Sequence, residues 1–360
     1  MIKYGLIGAG MMGQEHLANL NLIDGAEIAA IADPDQGSLN GARAMMQNHA
    51  HHPVTYYDQY QEMVARENCD AIILATPNHT HFQIVRDLAH LETAILIEKP
   101  VCTTMADAQA LVMLEETASC RLAVGLEYRY MPPLTQFINR AHAGEAGPVR
   151  MLSIREHRFP FLPKVDNWNR FNENTGGTLV EKCCHFFDLM RHILRDEPVR
   201  VYASGAQDVN HLDETYDGRT PDIIDNAFVV VDFRGGARAI LDLCMYAEGS
   251  EQQEVIHVVG AQGKLEVSIP GADVTWSPRD KSGPFVEHVD TPEKAMLAGQ
   301  HHGATYFQLQ AFHQAVTAGE PFPITVEDGI RSLEMGIAAH RSLATGQAVS
   351  LPLEDTPYRT

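Results

Sequence analysis

The sequence predicts an α/β protein of two domains: a doubly wound parallel sheet first, then an α+β domain with a large, mostly antiparallel sheet. Three observations lead there. A glycine turn, Gly8-Ala9-Gly10-Met11-Met12-Gly13, lies between an apolar strand and a helical pattern. Short apolar runs then alternate with helical patterns up to Gly125, as in a sheet built from strand–helix–strand units. Beyond it, stretches such as Met151-Leu152-Ser153-Ile154-Arg155 alternate apolar and polar residues, the mark of half-buried antiparallel strands. The expected domains are therefore 1–125 and 126–360.

Residues 4–7 form the first strand, and a helix follows over 14–23. The turn between them is G-x-G-x-x-G in a strand–loop–helix setting. Gly8 makes the tight turn, Gly10 lets backbone approach a pyrophosphate, and Gly13 allows close helix packing. Met11 and Met12 fall at the helix amino terminus, which attracts phosphate. A second strand over 26–32 ends in Asp33, 20 residues past Gly13. A carboxylate there accepts hydrogen bonds from the adenosine ribose and repels a 2′-phosphate, favouring NAD over NADP. The competing reading makes Asp33-Pro34-Asp35 a plain turn.

A helix over 42–47 and strands over 55–57 and 71–75 continue the pattern. Thr76-Pro77-Asn78-His79-Thr80-His81 then stands at a strand's carboxyl edge, before a helix over 82–90, and reads as a cofactor-lining loop. His81 either caps that helix or borders the nicotinamide ribose. Next, the apolar run 94–97 stops at Glu98-Lys99-Pro100. Ligands of open α/β sheets sit beyond the carboxyl ends of the strands, so Lys99 should point into a crevice. The Lys99-Pro100 bond is of the kind open to cis. A helix over 105–116 and a strand over 122–125 complete the domain.

The bulk numbers exclude several classes. With 360 residues, either domain can bury a core. A net charge of -20 argues against sequence-independent nucleic-acid binding and against anionic membranes. No apolar run approaches the ~20 residues of a membrane span, and the amino terminus leads at once into a strand, not a signal peptide. The six cysteines show neither CxxC spacing nor a disulfide rhythm, so a reducing cytoplasm is expected. His79 and His81, with His49, His51 and His52 nearby, invite a metal reading, as does Cys183-Cys184-His185. Neither group has a ligand set at sensible spacing, and no metal is expected.

In the second half, Glu127-Tyr128-Arg129-Tyr130-Met131-Pro132 leads into a helix over 133–143. Alternation predicts strands over 149–158, 199–203, 227–233, 237–246, 254–259 and 264–269, with turns at Gly235-Gly236 and Ala261-Gln262-Gly263. Helices over 178–194, 306–317 and 328–343 can cover one face of that sheet. The other face suits contact with further copies, as a homodimer or homotetramer. On the first of these helices Glu181 and His185 are four apart, with Asp188 three further on, so the three share a face. Arg150, Arg155, Arg158, Lys164 and Arg170 are opposed only by Glu156 and Asp166 in an otherwise acidic chain. This stretch either holds an anionic substituent of the substrate, or part of the cofactor, or is a solvated loop with ordinary ion pairs.

Taken together, GAGMMG at 8–13, Asp33, ATPNHTH at 75–81, EKP at 98–100 and GGTLVEKCCHFFD at 176–188 resemble the Gfo/Idh/MocA family of NAD(P)-dependent sugar and polyol oxidoreductases. The resemblance covers nearly the whole chain. It implies a Rossmann domain followed by a substrate and oligomerisation domain. Glu98, Lys99, Glu127, Trp168 and Arg170 would lie beside the cofactor with the glycine loop, Asp33, Thr76, Pro77, Asn78 and His81. Lys99, Arg129, His157, Arg158, Glu181, His185 and Tyr306 form the expected substrate set. The family motif carries Asp where this chain has Glu181.

The reaction implied is reversible oxidation of a secondary hydroxyl of a sugar, sugar derivative or cyclic polyol, with hydride passing to nicotinamide. Lys99 is the expected base. Its ordinary pKa of ~10.4 is too high, and burial with the cationic nicotinamide would lower it. His185 would bond the same hydroxyl, and Glu181 would orient His185 or hold a neighbouring hydroxyl. Two other readings use the same residues differently: a redox-assisted glycoside-cleaving enzyme with tightly held NAD, and a non-catalytic NAD(H)-sensing regulator. A sensor needs neither Lys99 nor His185.

Overall fold

A computed structural model describes residues 1–49, 52–299 and 301–358. Two compact units emerge. One comprises Met1–Glu127, Lys164–Trp168 and Pro292–Ile330; the other comprises Tyr128–Pro163, Asn169–Thr291 and Arg331–Thr360. The chain passes from the first unit to the second after Glu127 and returns to the first unit twice.

The first unit holds six strands: β1 (Ile2–Ile7), β2 (Ala26–Ala32), β3 (Thr55–Tyr57), β4 (Ala71–Leu74), β5 (Ala94–Glu98) and β6 (Arg121–Gly125). Their order is β3-β2-β1-β4-β5-β6, and all five pairings are parallel. β4 is apolar and buried throughout, as is β5 up to Glu98, the pattern of parallel strands covered on both faces. Strand order reverses between β1 and β4, the switch point at which such sheets bind ligands. The connecting helices are Met11–Leu20, Gln36–His49, Tyr60–Arg66, His81–Leu88 and Met105–Glu115. Gln36–His49 starts earlier than its apolar pattern because Asp35 Oδ1 accepts the Ser38 N–H at 2.7 Å, capping the first turn. Tyr60–Arg66 was not foreseen; Met63 is its one buried residue, so it carries no apolar stripe.

The helix read over 306–317 runs over Ala304–Ala318 and corrects an expectation. It does not cover the second sheet. Tyr306, Leu309, Phe312 and Ala315 share the core of the first unit with Tyr4, Leu6 and Ile31. The Tyr4 hydroxyl and His313 Nδ1, 3.1 Å apart, fix the contact.

In the second unit β7 (Val149–His157), β8 (Pro198–Ala206), β9 (Asn226–Phe233), β10 (Arg238–Cys244), β11 (Glu254–Gly260), β12 (Gly263–Ile269), β13 (Asp273–Pro278), β14 (Phe285–His288) and β15 (Val349–Ser350) form one sheet. Their order is β14-β13-β12-β11-β7-β10-β9-β8-β15, antiparallel except for the central β7–β10 pair. Leu152 and Ile154 of β7 point inward, as do Ile256 and Val258 of β11. The helix Pro132–His142 belongs to this unit. β13 and β14 were missed because their residues are mostly half-exposed and lack a clean alternation.

The helix expected over 178–194 is two: Thr178–Glu181 and Cys184–Leu194. At the junction the Cys183 N–H reaches back five residues to the Thr178 carbonyl, at 3.3 Å, and the regular ladder breaks. The inference that Glu181 and His185 share one continuous helical face fails there.

Candidate active site

The first unit gathers its candidates at the carboxyl ends of β1, β2, β4 and β5. Gly8 has φ +94°, and a Cβ there would lie 2.5 Å from the Ala75 carbonyl oxygen. This turn therefore admits only glycine. A Cβ on Gly13 would sit 2.0 Å from the Gly8 carbonyl oxygen, so the helix Met11–Leu20 packs directly on the loop. At Gly10 a Cβ would meet nothing within 4 Å. That open space lies over a helix amino terminus whose first N–H groups suit a pyrophosphate. Gly13→Ala should abolish cofactor binding or folding, measured by NAD⁺ titration and thermal melting; an unchanged affinity would contradict the packing.

Asp33 holds the loop as well as closing β2. Its Oδ2 accepts the Ala9 N–H at 2.6 Å and its Oδ1 the Asp35 N–H at 2.8 Å. Burial raises its pKa, although both backbone hydrogen bonds oppose the rise. A carboxylate has lone pairs left for two ribose hydroxyls. Asp33 is thus a turn residue and a candidate ribose acceptor together.

The loop after β4 carries Thr76, Pro77 and Asn78. Thr76 and Thr80 hydroxyls are 2.7 Å apart, and Thr80 donates to the Pro77 carbonyl at 2.7 Å. Asn78 is buried, and among the described residues its Nδ2 has no acceptor. A bound group would satisfy that donor. His79 meets Trp168 edge-on, with centroids 6.5 Å apart.

β5 ends in Glu98, and Lys99 follows, half-buried, with a cis bond to Pro100. Glu98 Oε1 is 2.7 Å from His16 Nε2, and Glu98 Oε2 accepts the Lys99 N–H at 3.2 Å. Burial alone would raise the Glu98 pKa; the His16 hydrogen bond and the charges of His16 and Lys99 bring it below the ordinary value. Glu127 is buried nearby, and desolvation, then the like charge of Glu98, push it up to about 7.

In the second unit Gly176 and Gly177, with φ +78° and +89°, turn the chain into Thr178–Glu181. A Cβ on Gly177 would lie 2.3 Å from His340 Nε2. That nitrogen accepts the Leu179 N–H at 3.2 Å, which requires it unprotonated. Burial pushes His340 down to about 4, below its unfolded value of about 6.5. As pH falls from about 6.5 towards 4 the unfolded chain takes up this proton first, so His340 lowers stability in that window. Thermal melts at pH 7 and pH 5 should show a smaller difference in His340→Gln than in the native chain; equal differences would rule the histidine out.

Glu181, His185 and Asp188 are all buried. His185 lies flat on Tyr128, with ring centroids 4.1 Å apart. Arg129 grips Asp188 with two prongs, Nε to Oδ2 at 2.7 Å and Nη2 to Oδ1. Lys182, between the two short helices, turns inward and places Nζ 2.9 Å from Glu156 Oε1 of β7. Burial lowers its pKa against the pull of Glu156.

One family model, "Oxidoreductase family, NAD-binding Rossmann fold", matches residues 2–126, and its companion, "Oxidoreductase family, C-terminal alpha/beta domain", matches residues 142–351. This chain belongs to the Gfo/Idh/MocA family. It is an NAD-dependent oxidoreductase, and the Rossmann unit described above is its cofactor domain. Similar proteins include the uncharacterised oxidoreductase YrbE of Bacillus subtilis, 27% identical over 97% of this chain and 96% of that protein. Myo-inositol 2-dehydrogenase of Thermotoga maritima is 26% identical over 97% of this chain and 98% of its own. An oxidoreductase from Agrobacterium radiobacter, solved with NAD⁺, L-tartaric acid and magnesium, shares the fold at a TM-score of 0.82 and 20% identity, covering 97% of this chain and 98% of its own.

Read as a Gfo/Idh/MocA chain, the expected site residues separate into groups. Gly8, Gly10, Gly13, Asp33, Thr76, Pro77, Asn78 and Lys99 collect at one rim of the first sheet, and Met11 and Met12 begin the adjoining helix. His81 is a correction. It is fully buried, with Nδ1 2.8 Å from the Pro100 carbonyl and Nε2 3.0 Å from that of Thr76. It ties the two loops together rather than capping the helix or lining a ribose pocket. Glu98 is likewise turned to His16.

Tyr306 is a second correction: it packs in the first unit's core, edge-on to Phe307. Trp168 falls in the first unit and Arg170 in the second, where Arg170 is buried with Nε 3.1 Å from Glu214 Oε2. The basic stretch does not converge on an anion either. Arg150 donates to the Gly235 carbonyl, Arg155 to that of Gln252, Arg158 lies 3.7 Å from Glu156, and His157 is 3.0 Å from Asp242. Arg150, Arg155 and His157 lie on β7 and Arg158 just past its end, and each has a local partner. Lys164 belongs to the first unit.

Among the described residues no group of three His, Cys, Asp or Glu side chains could hold a metal ion; His51 and the side chain of His49 lie outside them. No described helix is long and apolar enough to cross a membrane.

Proposed function

We propose that this chain oxidises a secondary hydroxyl of a neutral cyclic polyol or sugar. The observation that carries the reading is Lys99 at the end of β5, on the same sheet rim as the glycine loop and Asp33. The residues present suit NAD: an open space over Gly10, a carboxylate at the end of β2 and a buried amide donor at Asn78 awaiting an acceptor. When bound, the nicotinamide supplies the hydride acceptor.

The protein's share is proton traffic and geometry. Lys99 takes the hydroxyl proton as the C–H bond breaks. His185 holds the same oxygen, and Glu181 orients the imidazole or a neighbouring hydroxyl. The named activity of the Thermotoga relative supports a cyclic polyol, and the local partners of Arg150, Arg155 and Arg158 support a neutral one.

A screen of myo-inositol, scyllo-inositol, neutral hexoses and their uronic acids, with NAD⁺ and absorbance of the reduced cofactor as readout, tests this. Net reduction with at least one neutral polyol or sugar is expected. Cofactor binding without any turnover would favour the sensing reading. Glycoside cleavage with NAD returned unchanged would favour the redox-assisted lyase.

A further inference from the structure

The imidazole assigned to the substrate hydroxyl does not stand alone. Tyr128 lies flat against it, with planes 9° apart, and Phe186 meets the same tyrosine edge-on at 5.8 Å. The far end of Tyr128 is held in a polar network. Lys182 Nζ donates to the Tyr128 hydroxyl at 2.6 Å and lies 2.9 Å from Glu156 Oε1. The hydroxyl is 3.3 Å from Glu254 Oε1. Glu254 and Glu156 face each other across the β11–β7 pair, and Gln253 Nε2 donates to both, at 2.8 and 3.3 Å.

The network is deeply buried: Tyr128 and Lys182 are 4% exposed, Glu254 2% and Glu156 0%. Two carboxylates face one interior ammonium, with Arg158 at the edge, 3.7 Å from Glu156. Burial and the charge of Glu156 push Glu254 up to about 8, so near neutrality it keeps its proton and the cluster balances. Apolar side chains would fill the same volume with less desolvation, so such a cluster is poor evidence of a device for stability alone. Glu156 Oε2 and Glu254 Oε2 have no hydrogen-bond partner among the described residues, yet one oxygen of each carboxylate, Lys182 and the Tyr128 hydroxyl are linked in a chain that favours one orientation of the ring.

We infer that Tyr128 is a positioning residue for His185, its stack setting the plane of the imidazole while Lys182, Glu156 and Glu254 pin the tyrosine in one orientation. The inference deepens the reading above and rests on it for its catalytic meaning.

The test has two arms. Proton NMR of the cofactor-free chain identifies the His185 ring by its loss in His185→Gln. Its Hε1 signal should lie upfield of the ordinary histidine range through the Tyr128 ring current, stay there in Tyr128→Phe and move downfield in Tyr128→Leu. An unshifted signal in the native chain overturns the stack, whether or not the leucine variant folds.

The second arm measures steady-state kinetics with myo-inositol and NAD⁺. Tyr128→Leu should lower kcat by roughly tenfold or more, as misplaced catalytic groups do, with KM for NAD⁺ unchanged. Tyr128→Phe should recover most of that loss. Native kcat in Tyr128→Leu, or a Tyr128→Phe variant as slow as Tyr128→Leu, overturns the positioning role. The NMR arm needs no substrate. Failure of every polyol to react would therefore sink the assigned reaction and the role together, while the NMR result reports separately on the packing.

Discussion

Lys99→Met should lower kcat by roughly 10²–10⁴-fold, the range a general base supplies, while NAD⁺ affinity holds. Methionine is unbranched and nearly as long as lysine, and it lacks the amine that takes up the proton. The cofactor's anchors lie elsewhere: the Gly8–Gly13 turn, its helix terminus and Asp33, which also fastens the turn through the Ala9 N–H. Equilibrium titration of NAD⁺ fluorescence quenching and steady-state turnover with the best substrate of the screen separate the two effects. Parallel loss of both would mean that Lys99 shapes the cofactor site instead of working as the base.

The largest effect on stability is expected at Lys182. Lys182→Met leaves Glu156 buried beside Glu254 with its interior cation gone. Removing one partner of a buried ion pair costs about 3–5 kcal/mol. In a unit of this size each kcal/mol moves Tm by roughly 2–4 °C, so a drop of the order of 10 °C is expected. Adding Glu156→Gln to Lys182→Met should recover much of it, because the orphaned charge goes too. A single variant melting with the native chain, or a double variant melting below the single, would show that Lys182 does not neutralise that carboxylate.

The nucleotide-binding half was legible because its signals are local. A glycine turn between strand and helix, an acid at the next strand end and apolar runs closed by Thr76 or Glu98 each carry their meaning in a few residues. What was missed depends on register and on distant packing. Helix Ala304–Ala318 has apolar residues enough for either sheet, and nothing within it names Tyr4 and Leu6 as its partners. His81 looks like a pocket residue by position; its burial depends on two carbonyls from separate loops. The arginines at 150, 155 and 158 look like an anion site when counted, but their acceptors at Gly235, Gln252 and Glu156 come from tertiary pairing that the sequence does not display.

The buried cluster under His185 left a trace that was available. Leu152, Ile154 and Glu156 fall on one face of β7, and Glu254, Ile256 and Val258 on one face of β11. An acid in phase with two inward aliphatic residues is a buried acid and needs a partner. Lys182, which follows Glu181 in the otherwise apolar run Leu179–Cys184, is the matching signal. The junction at Lys182–Cys183 was not readable, since helical periodicity continues smoothly through it.

Under the proposed function, Lys99 and His185 would serve one alcohol oxygen. A crystal structure of the chain with NADH and the polyol that turns over fastest tests it most directly. The reacting hydroxyl is expected within about 3.2 Å of both Lys99 Nζ and an imidazole nitrogen of His185. A substrate hydroxyl bound to neither group, with the C–H over the nicotinamide attended by other side chains, would contradict it.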